Sequence, residues 1–434
     1  MSLLLFEGPA GTGKTTRLLA RARQHIDQHP LDDEQRVLAL TKYHGSRRRM
    51  DLKLRDRTEG VGNALDCVTI DNFAWNLVSR WRALVDHLGL KPVEGDFQSI
   101  TSAAGVLLQR PNVAKWVARR YPLVIVDEMQ DCKGGEVALL GGLEPHVRLL
   151  CGADAFQDLS GDDHNQAIVW ASKVGEVVPL DHVHRTHVNG LLAAAHALRN
   201  GSALTSDPGS GFEVMSAAAA AQGGACVCWR VRSWTKHGQI AVISATARGT
   251  SPFSDQVVEW ASTKTSTAKE SRTTAGPYPV AWESRDDEAR QSVLDALALP
   301  GEPAATMLCD DLAALAHEVG VQDVADWVRR QKFVRGRATV TVAEVVEEVS
   351  QIVRRRRAFG PNRPWHRRAL TIHQAKNREF ESVIVLWPLK MAGTVQRKRR
   401  LLYNAVTRAR GRVIVIVQDP KGSVLGGPLF AGGA

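Results

Sequence analysis

The stretch LFEGPAGTGKTT, residues 5–16, decides the fold. Gly8, Gly13, Lys14 and Thr15 fit the spacing G-x-x-x-x-G-K-[ST], and the apolar run Leu3-Leu4-Leu5-Phe6 that leads into them reads as a buried parallel strand. The glycines, Gly11 included, let the backbone wrap its N–H groups around phosphate oxygens, because a Cβ would clash at left-handed dihedral angles. Lys14 is suited to neutralising the β- and γ-phosphates, and the Thr15 hydroxyl to binding Mg²⁺, with Thr16 next in the same cradle. A helix predicted from Thr15 to about His25 turns its positive end toward the same phosphates. The expectation is a nucleoside triphosphate site, occupied by ATP and Mg²⁺.

At 434 residues the chain exceeds one ordinary core, so two domains are expected. A hydrophobic content of 44% and a charged content of 24% describe a globular protein, and no apolar run has the length of a membrane span. The N-terminus lacks the basic start and cleavage site of a secretory signal. Six cysteines are scattered along the chain, and the lone C-x-C at Cys226 and Cys228 has no second pair or nearby His. That pattern argues for free thiols in a reducing cytoplasm rather than a metal centre. The net charge of +10 suits a polyanionic partner, and the excess is clustered at 47–49, 354–357, 363–368 and 397–400.

Strand-like runs alternate with helical stretches: Val37 to Leu40, Cys67 to Ile70, Leu123 to Val126 and Val147 to Cys151, then Ala225 to Val231, Ile240 to Ser244, Ala369 to Ile372, Val383 to Trp387 and Val413 to Val417. Two series of this kind predict an α/β protein with two parallel-sheet lobes whose ligands sit at the strand ends. Residues 76–120 read as helical, as do 286–299, 310–331 and 342–359. The Ser-, Thr- and Lys-rich stretch 246–280 reads as an exposed connection, and Ala217 to Ala221 as a short low-complexity tract.

The run Leu123 to Val126 ends in Asp127-Glu128-Met129-Gln130-Asp131, a buried strand delivering carboxylates to the tip of the sheet. Asp127 is placed to hold the metal and Glu128 to polarise an attacking water as general base. Here the sequence resembles the superfamily 1 helicases of the UvrD/Rep type, whose second motif is D-E-x-Q-D. Further resemblances follow in order: Thr41 to Arg55 to motif Ia, Val68 to Phe73 to T-[IF]-H-x-F, and Cys151 to Gln157 to G-D-x-x-Q. Leu180 to Thr186 resembles L-x-x-N-Y-R-S, Thr371 to Phe380 is similar to T-x-H-x-x-K-G-L-E-F, and Leu401 to Arg410 is similar to L-x-Y-V-A-x-T-R-A.

The resemblance implies two RecA-like lobes, residues 1–180 and 181–434, with short helical insertions at about 76–120 and 300–365. It implies that Arg185 and Arg408 reach across the cleft to the γ-phosphate, that Gln157 senses it, and that Glu379 touches the ribose. Positive groups placed there lower the barrier, because charge spreads over the γ-phosphoryl oxygens in the transition state. Thr41, Thr69, Phe73, Thr371 and His373 are implied to contact the nucleic-acid strand. Phe73, Trp75 and Trp81 are candidates to stack on bases.

The chain departs from the family in several places. It has no glutamine motif upstream of the phosphate loop, and His184 stands where a stacking Tyr precedes the arginine. Asp158-Leu159-Ser160-Gly161 lacks the aromatics that usually follow Gln157, and Asn377 and Arg378 replace Gly and Leu. The reading is a compact ATP-dependent translocase or helicase on single-stranded DNA, moving 3′ to 5′, with RNA as the alternative strand. A viral or mobile-element origin would place it in host cytoplasm or nucleus; otherwise it is cytoplasmic. It is expected to be a monomer with replication or repair proteins as partners. The rival reading is a DNA-binding ATPase switch or assembly module without processive unwinding.

Overall fold

The computed structural model describes residues 3–42, 50, 64–93, 96–159, 165–235, 238–268, 272–283, 286–359 and 367–432, with backbone alone at 286–289 and 354–359. Most of the stretch Thr41 to Arg55, including Arg48 and Arg49, lies outside these residues. The chain forms two compact units, Met1–Trp282 with Trp365–Ala434, and Glu283–Pro364.

The first unit holds two sheets, each of six parallel strands. One contains β1 (Leu3–Glu7), β2 (Val37–Thr41), β3 (Leu65–Thr69), β4 (Leu123–Val126), β5 (Arg148–Ala153) and β6 (Glu176–Pro179), in the order β3-β2-β4-β5-β1-β6. Four of these strands are continuous Leu/Ile/Val-rich runs because helices cover both faces, which favours unbroken apolar sequence over alternation. Between β3 and β4 run four helices, Ile70–Arg80, Arg82–His87, Phe97–Leu108 and Pro111–Arg120, as the periodicity of 76–120 predicts. Thr69 caps the first of them, its hydroxyl accepting from Asn72 N–H at 3.2 Å.

The second sheet is built from β7 (Phe212–Ala217), β8 (Ile240–Ser244), β11 (Ala281–Trp282), β14 (Arg367–Thr371), β15 (Phe380–Trp387) and β16 (Ala409–Gln418), ordered β11-β14-β8-β15-β16-β7. A two-stranded ribbon, β9 (Ser266–Thr267) with β10 (Thr274–Ala275), precedes β11. The two sheets with their helices are the RecA-like α/β lobes that the resemblance implies.

Two expectations are corrected. Ala225 to Val231 is not a strand but the middle of the helix Ala220–Trp234; its buried residues Gly223, Gly224, Val227, Cys228, Val231 and Trp234 follow a helical stripe. The strand in that part of the chain is β7, which ends at Ala217, so the alanine tract marks a strand-to-helix junction. The stretch 246–280 is not an open connection throughout: Pro252–Thr263 is a helix that buries Phe253, Val257, Val258 and Ala261. The Ser and Thr content of the stretch hid this apolar stripe, and one of its serines, Ser254, is itself buried with the apolar side chains.

The unit Glu283–Pro364 is helical, with Asp286–Leu297, Cys309–Glu318, Gln322–Arg335 and Val342–Phe359, and a two-stranded ribbon of β12 (Thr306–Leu308) with β13 (Thr339–Thr341). Its own core gathers Leu312, Val324, Val328, Val345, Val349 and Ile352.

Candidate functional site

The carboxyl ends of β1, β4 and β5 open onto one cavity of about 440 Å³. Its first-lobe wall consists of Ala10, Gly11, Gly13, Lys14, Thr15, Thr16, Met50, Asp127, Glu128 and Gln157. His184, Arg185, Asn377, Glu379, Arg408 and Arg410 close it from the other side. Asn377 and Glu379 lie in the turn that enters β15, and Arg408 immediately precedes β16. The first sheet thus gives the carboxyl ends of its strands to the cavity, and the second gives the amino ends of two of its own.

The loop after β1 has the shape its sequence predicts. Gly13 sits at φ 80° as the cap of the helix Lys14–Gln28, a conformation costly for any residue with a Cβ. At Gly8 the constraint is space, because a Cβ there would lie 2.2 Å from the Leu180 carbonyl oxygen. The chain following β6 therefore runs directly against the loop, and His184 N–H donates to the Gly11 carbonyl at 2.7 Å. Lys14 is buried, and its ammonium folds back to donate to the Gly8 and Pro9 carbonyls at 2.8 and 2.9 Å. Burial pulls its pKa below the usual lysine value, against the raising charges of Asp154, Glu128 and Asp127.

Thr15 Oγ1 donates to Asp127 Oδ2 at 2.9 Å, so the two residues expected to hold the metal already meet. Burial, reinforced by the neighbouring Glu128 charge, pushes the Asp127 carboxyl up to about 6. Glu128 goes the other way: although burial opposes ionisation, Lys14, a hydrogen bond from Gln130, and the charges of Lys376 and Arg408 hold it below its usual value. Glu128 has φ 56°, a left-handed strain at the tip of β4 that leaves both carboxylates lining the cavity. A hydroxyl, two adjacent carboxylates and open space form an oxygen donor set that fits Mg²⁺.

Arg408 is buried, its Nε donating to the Asn404 carbonyl at 3.0 Å. Arg185 donates to the Thr407 carbonyl at 2.8 Å and pairs with Glu379 Oε1 at 2.9 Å. Glu379 Oε2 in turn accepts from Arg410 at 2.6 Å. Both carboxylate oxygens are therefore held by guanidinium groups rather than left open toward a ribose. Despite the cost of burial, Arg185 and Arg410 hold the carboxyl down to about 2. Asn377, at φ 62°, occupies a left-handed turn that Gly adopts freely and Asn tolerates.

None of the five strand-contact candidates lines the cavity. Thr41 and Thr69 are buried at the paired carboxyl ends of β2 and β3. Phe73 is a core residue, in edge-to-face contact with Tyr121 at 6.4 Å, and presents no free ring face for stacking. Trp81 packs edge-to-face on Trp116, while Trp75 is 39% exposed. Thr371 caps the short helix Ile372–Ala375 in a capping box with Gln374, and His373 is exposed. The register aligns Thr371 with Ser244, and Ser244 with Leu386 near the far end of β15, so Thr371 stands at the sheet edge opposite Glu379.

Several contacts across the lobes were not singled out from sequence. Lys376 pairs with Asp131 at 2.6 Å, and both side chains are under a tenth exposed. Tyr403, buried in the helix Val395–Val406, bonds the phosphate loop and Asp154. Their signal was their place within matched motifs, which shows importance but not which partner each residue meets.

Residues 366–416 match the family model of the UvrD-like helicase C-terminal domain. This segment holds β14, β15 and most of β16, and within it Glu379, Arg408 and Arg410. No curated protein matches the chain.

Proposed function

We propose that this chain, which carries a UvrD-like helicase C-terminal domain and takes its place among the UvrD/Rep-type superfamily 1 helicases, is an ATP hydrolase that moves along single-stranded DNA. The observation that carries this reading is the single cavity lined by Lys14, Asp127 and Glu128 from one lobe and by Arg185 and Arg408 from the other. The division at 1–180 and 181–434 belongs to the same proposal.

In this reading the loop N–H groups, Lys14 and the helix end bind the triphosphate, Glu128 accepts a proton from the attacking water, and Gln157 lies close to the γ-phosphate. Thr15 and Asp127 hold Mg²⁺, which supplies positive charge at the phosphates. Arg185 and Arg408 stabilise the charge that develops on the γ-phosphoryl oxygens. Because the groups that complete the site come from the second lobe, binding and release of the triphosphate shift the lobes relative to each other. On a strand held by both lobes that shift is movement, in the 3′ to 5′ direction.

The decisive test is hydrolysis by the wild type and Glu128→Gln, with and without single-stranded DNA, followed by strand displacement on tailed duplexes of each polarity. The expected result is DNA-stimulated hydrolysis that falls at least about a hundredfold in Glu128→Gln, with ATP binding retained. Hydrolysis indifferent to DNA would remove the translocase reading.

Burial of Thr41, Thr69 and Phe73 favours one alternative, a DNA-binding ATPase switch without processive movement. A translocase hydrolyses faster as the strand lengthens, whereas a switch saturates on short oligonucleotides.

A further inference from the structure

The phosphate loop is tied from behind by the second lobe. Tyr403 is 1% exposed, and its hydroxyl accepts from Ala10 N–H at 2.8 Å. The same hydroxyl donates to Asp154 Oδ2 at 3.2 Å and accepts from Arg199 Nη1 at 3.3 Å. One donor and two lone pairs are the whole hydrogen-bonding capacity of a phenol, and all three are used. Arg199 also pairs with Asp154 Oδ1 at 2.8 Å, and Asp154 is fully buried. The four groups therefore alternate between lobes: Ala10 from the first, Tyr403 from the second, Asp154 from the first, Arg199 from the second. Phe156 fixes the phenol ring edge-to-face at 5.0 Å.

Ala10 is buried and packs in the apolar cluster that includes Phe156, Leu191 and Tyr403. It lines the nucleotide cavity on one side and, on the other, a second cavity of about 450 Å³ walled by Pro9, Leu191, Arg199, Tyr403 and Val406 among others. Packing thus holds the Ala10 methyl, while the orientation of its N–H is set by the bond to the Tyr403 hydroxyl. Losing the Tyr403 hydroxyl would leave the Ala10 N–H without its partner at a buried position of the loop.

We propose that Tyr403 is a positioning residue for the phosphate loop: its hydroxyl sets the loop in its phosphate-gripping shape only when the second lobe is docked, so that lobe position is read directly as triphosphate affinity. This rests on the nucleotide-site reading above. Tyr403 does not line the nucleotide cavity, and acts through Ala10.

The experiment compares wild type, Tyr403→Phe and Phe156→Leu for binding of methylanthraniloyl-ATP by fluorescence and for kcat and KM of ATP hydrolysis. Tyr403→Phe keeps the ring and deletes only the hydroxyl. It is expected to weaken probe binding and raise KM about tenfold, the scale of one orphaned buried amide, with kcat within about threefold of wild type. Phe156→Leu removes the ring contact but leaves the hydroxyl, and is expected to lower the melting temperature while leaving probe affinity within about twofold. Equal probe binding by wild type and Tyr403→Phe would overturn the inference and leave the nucleotide site standing. Weakening of the same size in Phe156→Leu would assign the effect to ring packing and overturn it as well. A wild type that fails to bind the probe would instead remove the nucleotide site itself.

Discussion

At the scale of single residues, chemistry is set by which charges burial forces together. Asp127 and Glu128 are adjacent in sequence, yet burial raises one carboxyl to about 6 while Lys14, Gln130 and further cations hold the other below its usual value, so neighbouring carboxyls are pushed in opposite directions. Glu379 shows the same physics from the opposite side. Its carboxyl is depressed to about 2 by Arg185 and Arg410, so its stabilising contribution is present in full above its ordinary value of 4.5. That contribution fades as pH falls from 4.5 toward 2. Glu379→Gln should therefore cost about 2 kcal/mol in urea unfolding at pH 7, typical of a charge-assisted hydrogen bond. The difference from wild type should shrink by pH 3; a cost equal at both pH values would rule out the charge as its source.

At the scale of elements, the sequence was most legible where strands are continuous apolar runs and helices strictly periodic. Leu123–Val126 is a strand with the expected bounds, and the helical character of 76–120 and 342–359 is present. It was least legible where local composition and tertiary role disagree. Val227, Val231 and their neighbours look β-forming, but they bury one face of a helix whose Gly224 allows Trp260 to approach; a Cβ there would lie 2.6 Å from that indole. The helix Pro252–Thr263 was hidden by its Ser and Thr content, although Phe253 is 3% exposed in the core beneath the second sheet. Phe253→Ala should cost about 3–5 kcal/mol of stability, as removal of a buried aromatic does. A loss below about 1 kcal/mol would place this segment outside the core.

At the scale of the whole molecule, the question is what joins two sheets into one working cleft. Besides the Tyr403 hydroxyl, the buried Lys376–Asp131 pair crosses between them, and it connects the turn after Ile372–Ala375 to the acidic motif after β4. Removing one partner leaves the other charge buried. Lys376→Met should lower stability by about 3–5 kcal/mol, and adding Asp131→Leu should recover most of that. Thermal melting of the single and double variants tests it, and a double variant no better than the single would show that the pair does not act as a unit. The sequence by itself determined the glycine-rich loop after β1 and the acidic end of β4, because each is a local pattern: an apolar strand followed by residue types that its own spacing fixes. Only the tertiary structure decided that Phe73 belongs to the core, that Glu379 serves two arginines, and that Tyr403 braces Ala10. Those pairings join residues as many as 393 positions apart, and such contacts depend on how two sheets dock, which no local pattern encodes.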